Sequence, residues 1–316
     1  MINQPIDNDR KPITSQLFDA TPLLGDAEAL RAQAAADGYL FLRGFLERDD
    51  VLQLRQEILQ IVANDGLLNP QYPLMAGITD PEQIHRYSEE EISWIGSGIP
   101  QYLYYEVQKL ECFHALAHHP KLIKLYESLF GETPFVHPRN ISRVMLPHRK
   151  QKATPSHQDF LHIQGAENTW TCWMPVGDIP RKLGGLAILK SSFKEGLLGV
   201  TQAPGAGGLE SILCGMDYEW QTTDYEAGDI LTFHSHTVHK STANQMENHI
   251  RISCDYRYQP ISSPIEPGSL QPHGPYSWDD LYKGWNRSDL QHYWVNNAME
   301  HTAFDESIRW QKDKIC

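Results

Sequence analysis

The sequence predicts a mainly β protein with flanking helices, built as an antiparallel sandwich or barrel. In the first 132 residues, apolar positions recur at the three- and four-residue spacing of helices. From about residue 133 onward, short β-type runs are separated by turn residues. Helices do not alternate with these runs, so parallel βαβ units are not expected. We expect one domain over 1–316: mainly helical support and a lid in 1–132, a β core in 133–260, and a helical extension in 261–316.

The N-terminal helices are predicted from their ends and their apolar faces. Asp26 can cap and Gly38 can stop a helix over DAEALRAQAAADG, and YLFLRG reads as a short strand. The next helix has an apolar face formed by Val51, Leu54, Ile58, Ile61 and Val62. Residues 66–99 are rich in Pro and Gly, which predicts a covering segment with a lid as one candidate role. Two more helical stretches are expected at roughly 100–118 and 121–130.

Seven runs in the second half are candidate strands. They are PFVHPRNISRVML, ATPSHQDFLH, NTWTCWMPVGDI, GLAILKSS, YEAGDILTFHS, HTVHKS and HIRISCDYRYQP. Tight turns are expected at 184–185, 228–229 and 247–248. Residues 194–222 form a connection long enough to suggest a functional loop. The tail is expected to be helical around WDDLYKGW and SDLQHYWVNNAMEH, and to pack its aromatic residues on the core: Trp278, Tyr282, Trp285, Tyr293 and Trp294.

The overall charge restricts the classes of partner. The formal net charge is −13, which argues against a general nucleic-acid or anionic-membrane binder, because those partners favour clustered Lys and Arg. Neither a secretory h-region nor a stretch of roughly 18 apolar residues is present, so a cytoplasmic protein is expected. The 5 cysteines are scattered and odd in number, which favours reduced thiols. We expect a monomer or homodimer acting on a small molecule.

The most informative motif is His157-Gln158-Asp159. On an extended strand, alternate side chains share a face, so His157 and Asp159 can bind one metal ion while Gln158 points away. With 15 histidines and 40 acidic residues in the chain, one such pair arises easily by chance. The hypothesis therefore depends on a third ligand.

The segment FHSHTVHKS supplies candidates for that ligand. We favour His239, because Arg251 follows 251 − 239 = 12 residues later, about a strand, a turn and the start of the next strand. His236 is the alternative; we expect it on the opposite strand face, in the core or in hydrogen bonds behind the ligands. Two imidazoles and one carboxylate form the facial triad typical of non-haem Fe(II) oxygenases. Arg251 can hold the C5 carboxylate of 2-oxoglutarate with two parallel hydrogen bonds.

Four ordered segments carry a family resemblance: SHQDF, TCWMPVGDIPRKLGGLAIL, AGDILTFHSHTVHKSTANQ and IRISCDYRYQ. Over roughly residues 35–260 the chain resembles the phytanoyl-CoA dioxygenase family of Fe(II)/2-oxoglutarate oxygenases. The resemblance implies a double-stranded β-helix, a jelly-roll or cupin-like barrel, which uses Fe(II), 2-oxoglutarate and O2, with ascorbate as a candidate reductant. It implies that the catalytic residues are the metal ligands His157, Asp159 and His239 together with the co-substrate anchor Arg251.

The resemblance also implies that Trp173 and Ser241 line the co-substrate pocket. Ser253 shares a strand face with Arg251 and is a candidate for the same carboxylate. The chain departs from the family pattern in having GGLAILKSSF where the family often has GxLxVxPGSH, so a different loop is expected after that strand. It also has no clear lysine shortly before the His-x-Asp motif, where Arg143 is a candidate substitute. Since related halogenases replace the motif's carboxylate with a small residue, the intact Asp159 favours hydroxylation, desaturation or ring chemistry over chlorination.

Substrate identity is only weakly indicated. Residues 133–158 hold five bases, Arg139, Arg143, Arg149, Lys150 and Lys152, of which the region 139–152 is either a rim for an anionic substrate or a solvated loop. We expect an Fe(II)- and 2-oxoglutarate-dependent dioxygenase that oxidises, most simply by hydroxylation, an unactivated C–H bond of a small metabolite. The alternatives are a non-catalytic cupin-like ligand-binding protein and a zinc-dependent hydrolase using the same triad.

Overall fold

The protein is built from two β-sheets that lie on one side of a layer of helices. A computed structural model describes residues 13, 15–148, 152–213 and 217–310. The larger sheet has six strands in the order β1-β9-β4-β11-β2, with β3 also paired to β11, and the smaller sheet has the order β10-β5-β8. A hairpin, β6-β7, stands apart from both. All of these strand pairs are antiparallel, as expected from the sequence.

The helices are α1 Ala27–Asp37, α2 Arg48–Asn64, α3 Pro81–Ile84, α4 Glu89–Ser93, α5 Gln101–Gln108, α6 Glu111–Ala117, α7 Pro120–Phe130, α8 Phe160–Ile163 and α9 Trp278–Leu281. The strands are β1 Tyr39–Leu42, β2 Pro134–Val136, β3 Ile141–Met145, β4 Trp170–Pro175, β5 Leu186–Leu189, β6 Val200–Gln202, β7 Leu209–Ser211, β8 Trp220–Gln221, β9 Ile230–His234, β10 His239–Ser241 and β11 Arg251–Pro260.

The first helix ends where the sequence predicts. The Asp26 side chain accepts hydrogen bonds from the backbone N–H groups of Glu28 and Ala29, and Gly38 ends α1 with a left-handed φ of 77°. Gly131 ends α7 in the same way. The stretch expected at 100–118 is instead two helices, α5 and α6, because Leu110 is extended and acts as the N-cap of α6.

Strand alternation divides the hydrophobic core into two layers. Cys172 of β4, Ile230 of β9 and Tyr256 of β11 point toward the helices and pack in one cluster with α2, α5 and α7. The other faces of these strands turn toward the smaller sheet. There Trp173 and Phe233 pack with Leu186 and Ile188 of β5. The candidate site lies on this second side, between the two sheets.

Two expectations about the second half are corrected. Residues 194–222 contain β6, β7 and β8 and are not a plain loop. The tail has one four-residue α-helix and short 3-10 turns where longer helices were expected, because its chain repeatedly leaves helical geometry around 282–292. Its aromatic residues do pack together as predicted, against Phe135 of β2. Among the described residues, strand pairing does not close the two sheets into a barrel.

The described helices were also compared with the requirements of a bilayer span. None of them combines the length and the apolar character needed to cross a membrane.

Candidate metal centre and co-substrate cavity

His157 and His239 are brought together by backbone pairing between their own residues. The two residues form an antiparallel bridge, with N–H to O=C distances of 2.9 Å and 3.0 Å in the two directions. Directly opposed residues of an antiparallel pair place their side chains close together on one face. This bridge extends the smaller sheet beyond β10 and places His239, the expected third ligand, beside His157.

Asp159 reaches the same point by a different route from the one expected. The prediction of one extended strand through 157–159 is wrong, because Asp159 has helical φ and ψ of −62° and −32° and begins the short helix α8. The chain turns immediately after the bridge at His157. This turn, not strand alternation, directs the carboxylate back toward the two imidazoles.

The three side chains form the one group of potential metal ligands found among the described residues. One ligand atom from each of His157, Asp159 and His239 lies within 4.8 Å of the other two, and all three side chains are buried. Asp159 Oδ1 is 3.7 Å from His157 Nε2 and 3.8 Å from His239 Nε2. These separations suit three ligand atoms on one face of a single ion.

Hydrogen bonds fix which nitrogen of each imidazole faces the site. His157 Nδ1 donates to the Pro155 carbonyl at 2.8 Å, and His239 Nδ1 donates to the Thr237 carbonyl at 3.0 Å. Each Nε2 is therefore left with its lone pair toward Asp159. Burial lowers the pKa of both imidazoles, in His157 helped by His239, so both are neutral near pH 7.

The carboxylate of Asp159 is kept ionised by its neighbours. Burial alone would raise its pKa, but the positive charge of Arg257, together with a hydrogen bond from Thr171, outweighs burial and holds the pKa below its ordinary value. Thr171 of β4 donates a short hydrogen bond to Oδ2, and Arg257 NH2 lies 3.7 Å from the same oxygen. Two neutral imidazoles and one carboxylate thus present donor atoms without competing protons.

A cavity extends from these ligands to Arg251. Its walls include Trp173, Ser241 and Arg251 together with the three potential ligands. Burial, with some contribution from the charge of Arg143, lowers the pKa of Arg251 to about 10, which leaves the guanidinium charged near pH 7. Among the described residues, Arg251 has no side-chain hydrogen bond or ion pair. A buried cation at the end of a cavity is suited to an anionic ligand.

The other residues expected beside the co-substrate differ in their bonding. Trp173 Nε1 and Ser253 Oγ are buried and lack hydrogen-bond partners among the described residues. Ser241 Oγ accepts a hydrogen bond from the Thr154 backbone at 2.6 Å and keeps its own proton to donate. The suggested substitute Arg143 is already paired with Asp255 at 2.7 Å.

His236 and Gln158 take up supporting positions. His236 is buried behind the site, with its ring against Phe160, and does not join the ligand group. Gln158 points away from the ligands as expected. Its amide donates to the carbonyls of Gly196 and His236 and accepts from Leu198 N–H, so it ties the 194–222 segment to the His-x-Asp motif.

The basic segment 139–152 is only partly described. Arg149 and Lys150 lie outside the described residues, and Lys152 lies 3.4 Å from Glu89. Sequence reasoning did not single out Thr171, His162 or Arg257, which surround Asp159. Strand alternation from Arg251 would have placed Arg257 on the same face.

Comparison with known proteins identifies the family. The family model described as phytanoyl-CoA dioxygenase (PhyH) matches residues 35–252. The chain belongs to the PhyH family. Among curated relatives, the 1-deoxypentalenic acid 11-beta-hydroxylases of Streptomyces arenae and Streptomyces exfoliatus are each 30% identical, over 85% of this chain and 94% of the relative. The expected class of activity, an Fe(II)- and 2-oxoglutarate-dependent oxygenase, is confirmed for this PhyH-family member, as are Fe(II) and 2-oxoglutarate as its cofactors.

Solved structures agree on the fold. The non-heme alpha ketoglutarate dependent epimerase SnoN from nogalamycin biosynthesis has a TM-score of 0.51 and 19% identity over 76% of this chain and 85% of its own. A complex of SnoN with Fe3+, alpha ketoglutarate and nogalamycin RO has a TM-score of 0.50, with 20% identity over 76% of this chain and 86% of that chain.

Proposed function

We propose that this PhyH-family protein hydroxylates an unactivated C–H bond of a small-molecule metabolite, with His157, Asp159 and His239 as the iron ligands. The observation that carries the proposal is the convergence of these three buried donors within 4.8 Å at one end of a cavity, with the unpartnered Arg251 lining the same cavity. The two facing sheets are, on this proposal, the halves of a double-stranded β-helix within a single domain.

The residues present fit ferrous iron and 2-oxoglutarate. Neutral imidazole nitrogens and one carboxylate are the donors typical of non-haem Fe(II), and they leave positions free for the co-substrate and O2. The buried Trp173 Nε1 and Ser253 Oγ without partners supply further polar groups near Arg251. A dicarboxylate gives such groups a ligand, with its C5 carboxylate on Arg251. Bound iron and 2-oxoglutarate supply the oxidising chemistry.

The protein's own residues bind, orient and shield the reactants. Thr171 fixes the Asp159 carboxylate, and the carbonyls of Pro155 and Thr237 fix the imidazole rings. The side chains of Phe233 and Leu186 line the cavity and exclude water from the reacting centre. Gln158 holds the 194–222 segment against this side of the sheet.

The two rival functions are less well supported. A zinc hydrolase does not require a buried arginine in the same cavity as the metal ligands. A non-catalytic cupin-like binding protein does not require two imidazole nitrogens and one carboxylate oxygen that converge without protons on them.

Product analysis tests the proposal. Purified protein, Fe(II), 2-oxoglutarate and ascorbate are incubated under air with 1-deoxypentalenic acid, the substrate named for the two curated relatives, and with a panel of small acids and neutral terpenoids. We expect succinate to form together with a product heavier by one oxygen atom, in equal amounts. His157→Ala is the control that should form neither. Succinate no higher than in this control, with every compound tested, would overturn the proposal.

A further inference from the structure

Strand β11 carries a buried polar row that faces the space between the two sheets. Its residues at even positions, including Cys254, Tyr256 and Tyr258, pack against the helices. The residues at odd positions are all buried and polar, namely Arg251, Ser253, Asp255, Arg257 and Gln259. Asp255 pairs with Arg143, and Gln259 bonds to His137 at 2.9 Å. The two arginines of the row have no such hydrogen bonds.

Arg257 is a buried cation with almost no polar contact. It is 6% exposed, yet none of its five N–H groups makes a hydrogen bond to a described residue, and its Nε is fully buried without a partner. Its one ion-pair contact, NH2 to Asp159 Oδ2, is 3.7 Å long, which exceeds a hydrogen bond. A buried guanidinium left in this state is costly, and an anion that binds there relieves the cost.

Asp159 does not satisfy Arg257 by itself. Its Oδ2 already accepts from Thr171, and its Oδ1 is the oxygen nearest to both imidazoles. When this carboxylate binds a divalent cation, its negative charge is shared with the metal. The guanidinium then faces a site with less negative charge than before.

Other groups around Arg257 are also donors or cations. His162 lies beside the ligands, with its ring centroid 5.9 Å from that of His157, and its buried Nε2 lacks a partner among the described residues. A histidine ring carries an N–H in either neutral tautomer, so His162 can offer one hydrogen-bond donor. The half-buried Arg139 adds a second positive charge that acts on Arg257. The surroundings therefore favour an oxygen anion.

The two arginines without side-chain hydrogen bonds need separate ligands. Residues 251 and 257 are six apart on one extended strand, which at roughly 3.3 Å per residue places their Cα atoms about 20 Å apart. A five-carbon diacid held by Arg251 through one carboxylate and by the metal through its other end would have no carboxylate left for Arg257. If 2-oxoglutarate occupies the Arg251 end, the Arg257 end remains available to another anion.

We propose that Arg257, assisted by His162 and Arg139, binds a carboxylate of the molecule that is oxidised, and hence that the substrate class is carboxylic acids. The proposal rests on the proposed function, since it assigns the Arg251 end to the co-substrate. The planar guanidinium fork fits a carboxylate with two hydrogen bonds, and the neutral His162 N–H supplies a third donor. Arg257 thereby positions the substrate next to the metal ligands and selects acids over neutral molecules of the same shape.

The test uses two probes that differ in charge and hardly at all in shape, cyclohexanecarboxylate and cyclohexanecarboxamide. Binding is measured calorimetrically without oxygen, on protein saturated with Fe(II) and 2-oxoglutarate, so that the Arg251 end is occupied. We expect the wild type to bind the acid at least about tenfold more tightly than the amide. Arg257→Gln should bind the two equally, while Arg257→Lys, which keeps the charge and loses the fork, should retain part of the preference. Arg48→Gln, at an exposed ion pair with Asp178, is the matched control and should behave as the wild type.

Further readouts separate substrate binding from a structural role. Because the Arg251 end of the cavity is unchanged, Arg257→Gln should bind 2-oxoglutarate within about threefold of wild type. The proposal is overturned if the wild type shows no acid preference or binds neither probe, or if Arg257→Gln keeps the preference. It is also overturned if Arg257→Gln weakens the binding of 2-oxoglutarate as strongly as Arg251→Gln does. If Arg257→Gln does not fold, Arg257→Lys is the deciding variant, and its preference for the acid over the amide must be at least threefold lower than that of the wild type.

The same titration without Fe(II) and 2-oxoglutarate keeps the two proposals distinguishable. A wild-type chain that takes up no iron contradicts the proposed function. Its acid preference can still be assigned to Arg257 or to Arg251 by comparing Arg257→Gln with Arg251→Gln.

Discussion

Replacing Arg251 should weaken 2-oxoglutarate far more than it changes the stability of the protein. Burial, helped by the charge of Arg143, lowers the pKa of this guanidinium from 12.5 to about 10, so its surroundings disfavour the charged form by roughly 3 kcal/mol. This unfavourable free energy is already part of the folded state, so a carboxylate that binds finds a charged guanidinium already in position. Truncating one partner of a buried charge pair typically costs about 2–5 kcal/mol, or roughly 30-fold to several thousand-fold in Kd.

The variants Arg251→Gln and Arg251→Lys measure this effect. Anaerobic titration of 2-oxoglutarate into Fe(II)-loaded protein should show a loss within that range for the glutamine, and a smaller loss for the lysine, which keeps the charge without the fork. Melting temperatures should stay level or rise, because no described side chain loses a hydrogen bond. Arg48→Gln, at an exposed ion pair and not among the residues that line the cavity, is the control. A Kd for Arg251→Gln within threefold of the wild type would refute the reasoning.

Three further expectations concern the support of the site and the pH dependence of stability. Thr171→Val removes the hydrogen bond to Asp159 while keeping a β-branched strand residue, and should weaken Fe(II) about 10- to 100-fold in a competition titration with a chelator; unchanged affinity would contradict this role. Gln158→Leu leaves the carbonyls of Gly196 and His236 and the N–H of Leu198 without their hydrogen-bond partner. Hydrogen exchange at 196–198 should therefore accelerate, and rates equal to the wild type would contradict the role of Gln158 in holding the 194–222 segment. Burial lowers the pKa of His114 to about 4 and of His137 to about 3, so the unfolded chain takes up protons first as pH falls below 6.5. The free energy of unfolding that depends on these two groups is at its full value above that pH, and each group should lower it by about 1 kcal/mol by pH 5.5. Denaturant unfolding over this pH range should show a smaller decline for His114→Asn than for the wild type, and an equal decline would contradict the prediction.

Much of the helical layer is predictable from local sequence. Asp26 and Gly38 set the ends of α1 through side-chain capping and a left-handed backbone, both of which act within a few residues. The break between α5 and α6 was missed, since the apolar spacing continues through Leu110 although its backbone is extended. The tail was overestimated as helix because its aromatic residues are held by packing around Phe135 and not by a regular helical backbone.

The candidate site was predicted by type and order, with an error in geometry. The sequence correctly predicted that residues 157, 159, 239 and 251 line one site, because the segments that hold them occur in the order and spacing of the family. The turn at Asp159 was not visible in the sequence, since it depends on the bridge between His157 and His239 formed across the sheet. The proposed role of Arg257 depends on its lack of hydrogen bonds, which is a property of the folded chain that no sequence pattern indicates.

The central claim is that two imidazoles and one carboxylate bind a single ferrous ion to which 2-oxoglutarate attaches. The direct measurement is an anaerobic titration of Fe(II) into the protein, followed by 2-oxoglutarate, with visible absorption recorded after each addition. We expect one Fe(II) per chain and a charge-transfer band that appears only when Fe(II) and 2-oxoglutarate are both present and is absent in His157→Ala. Iron uptake without the band, or an equal band in His157→Ala, would contradict the account.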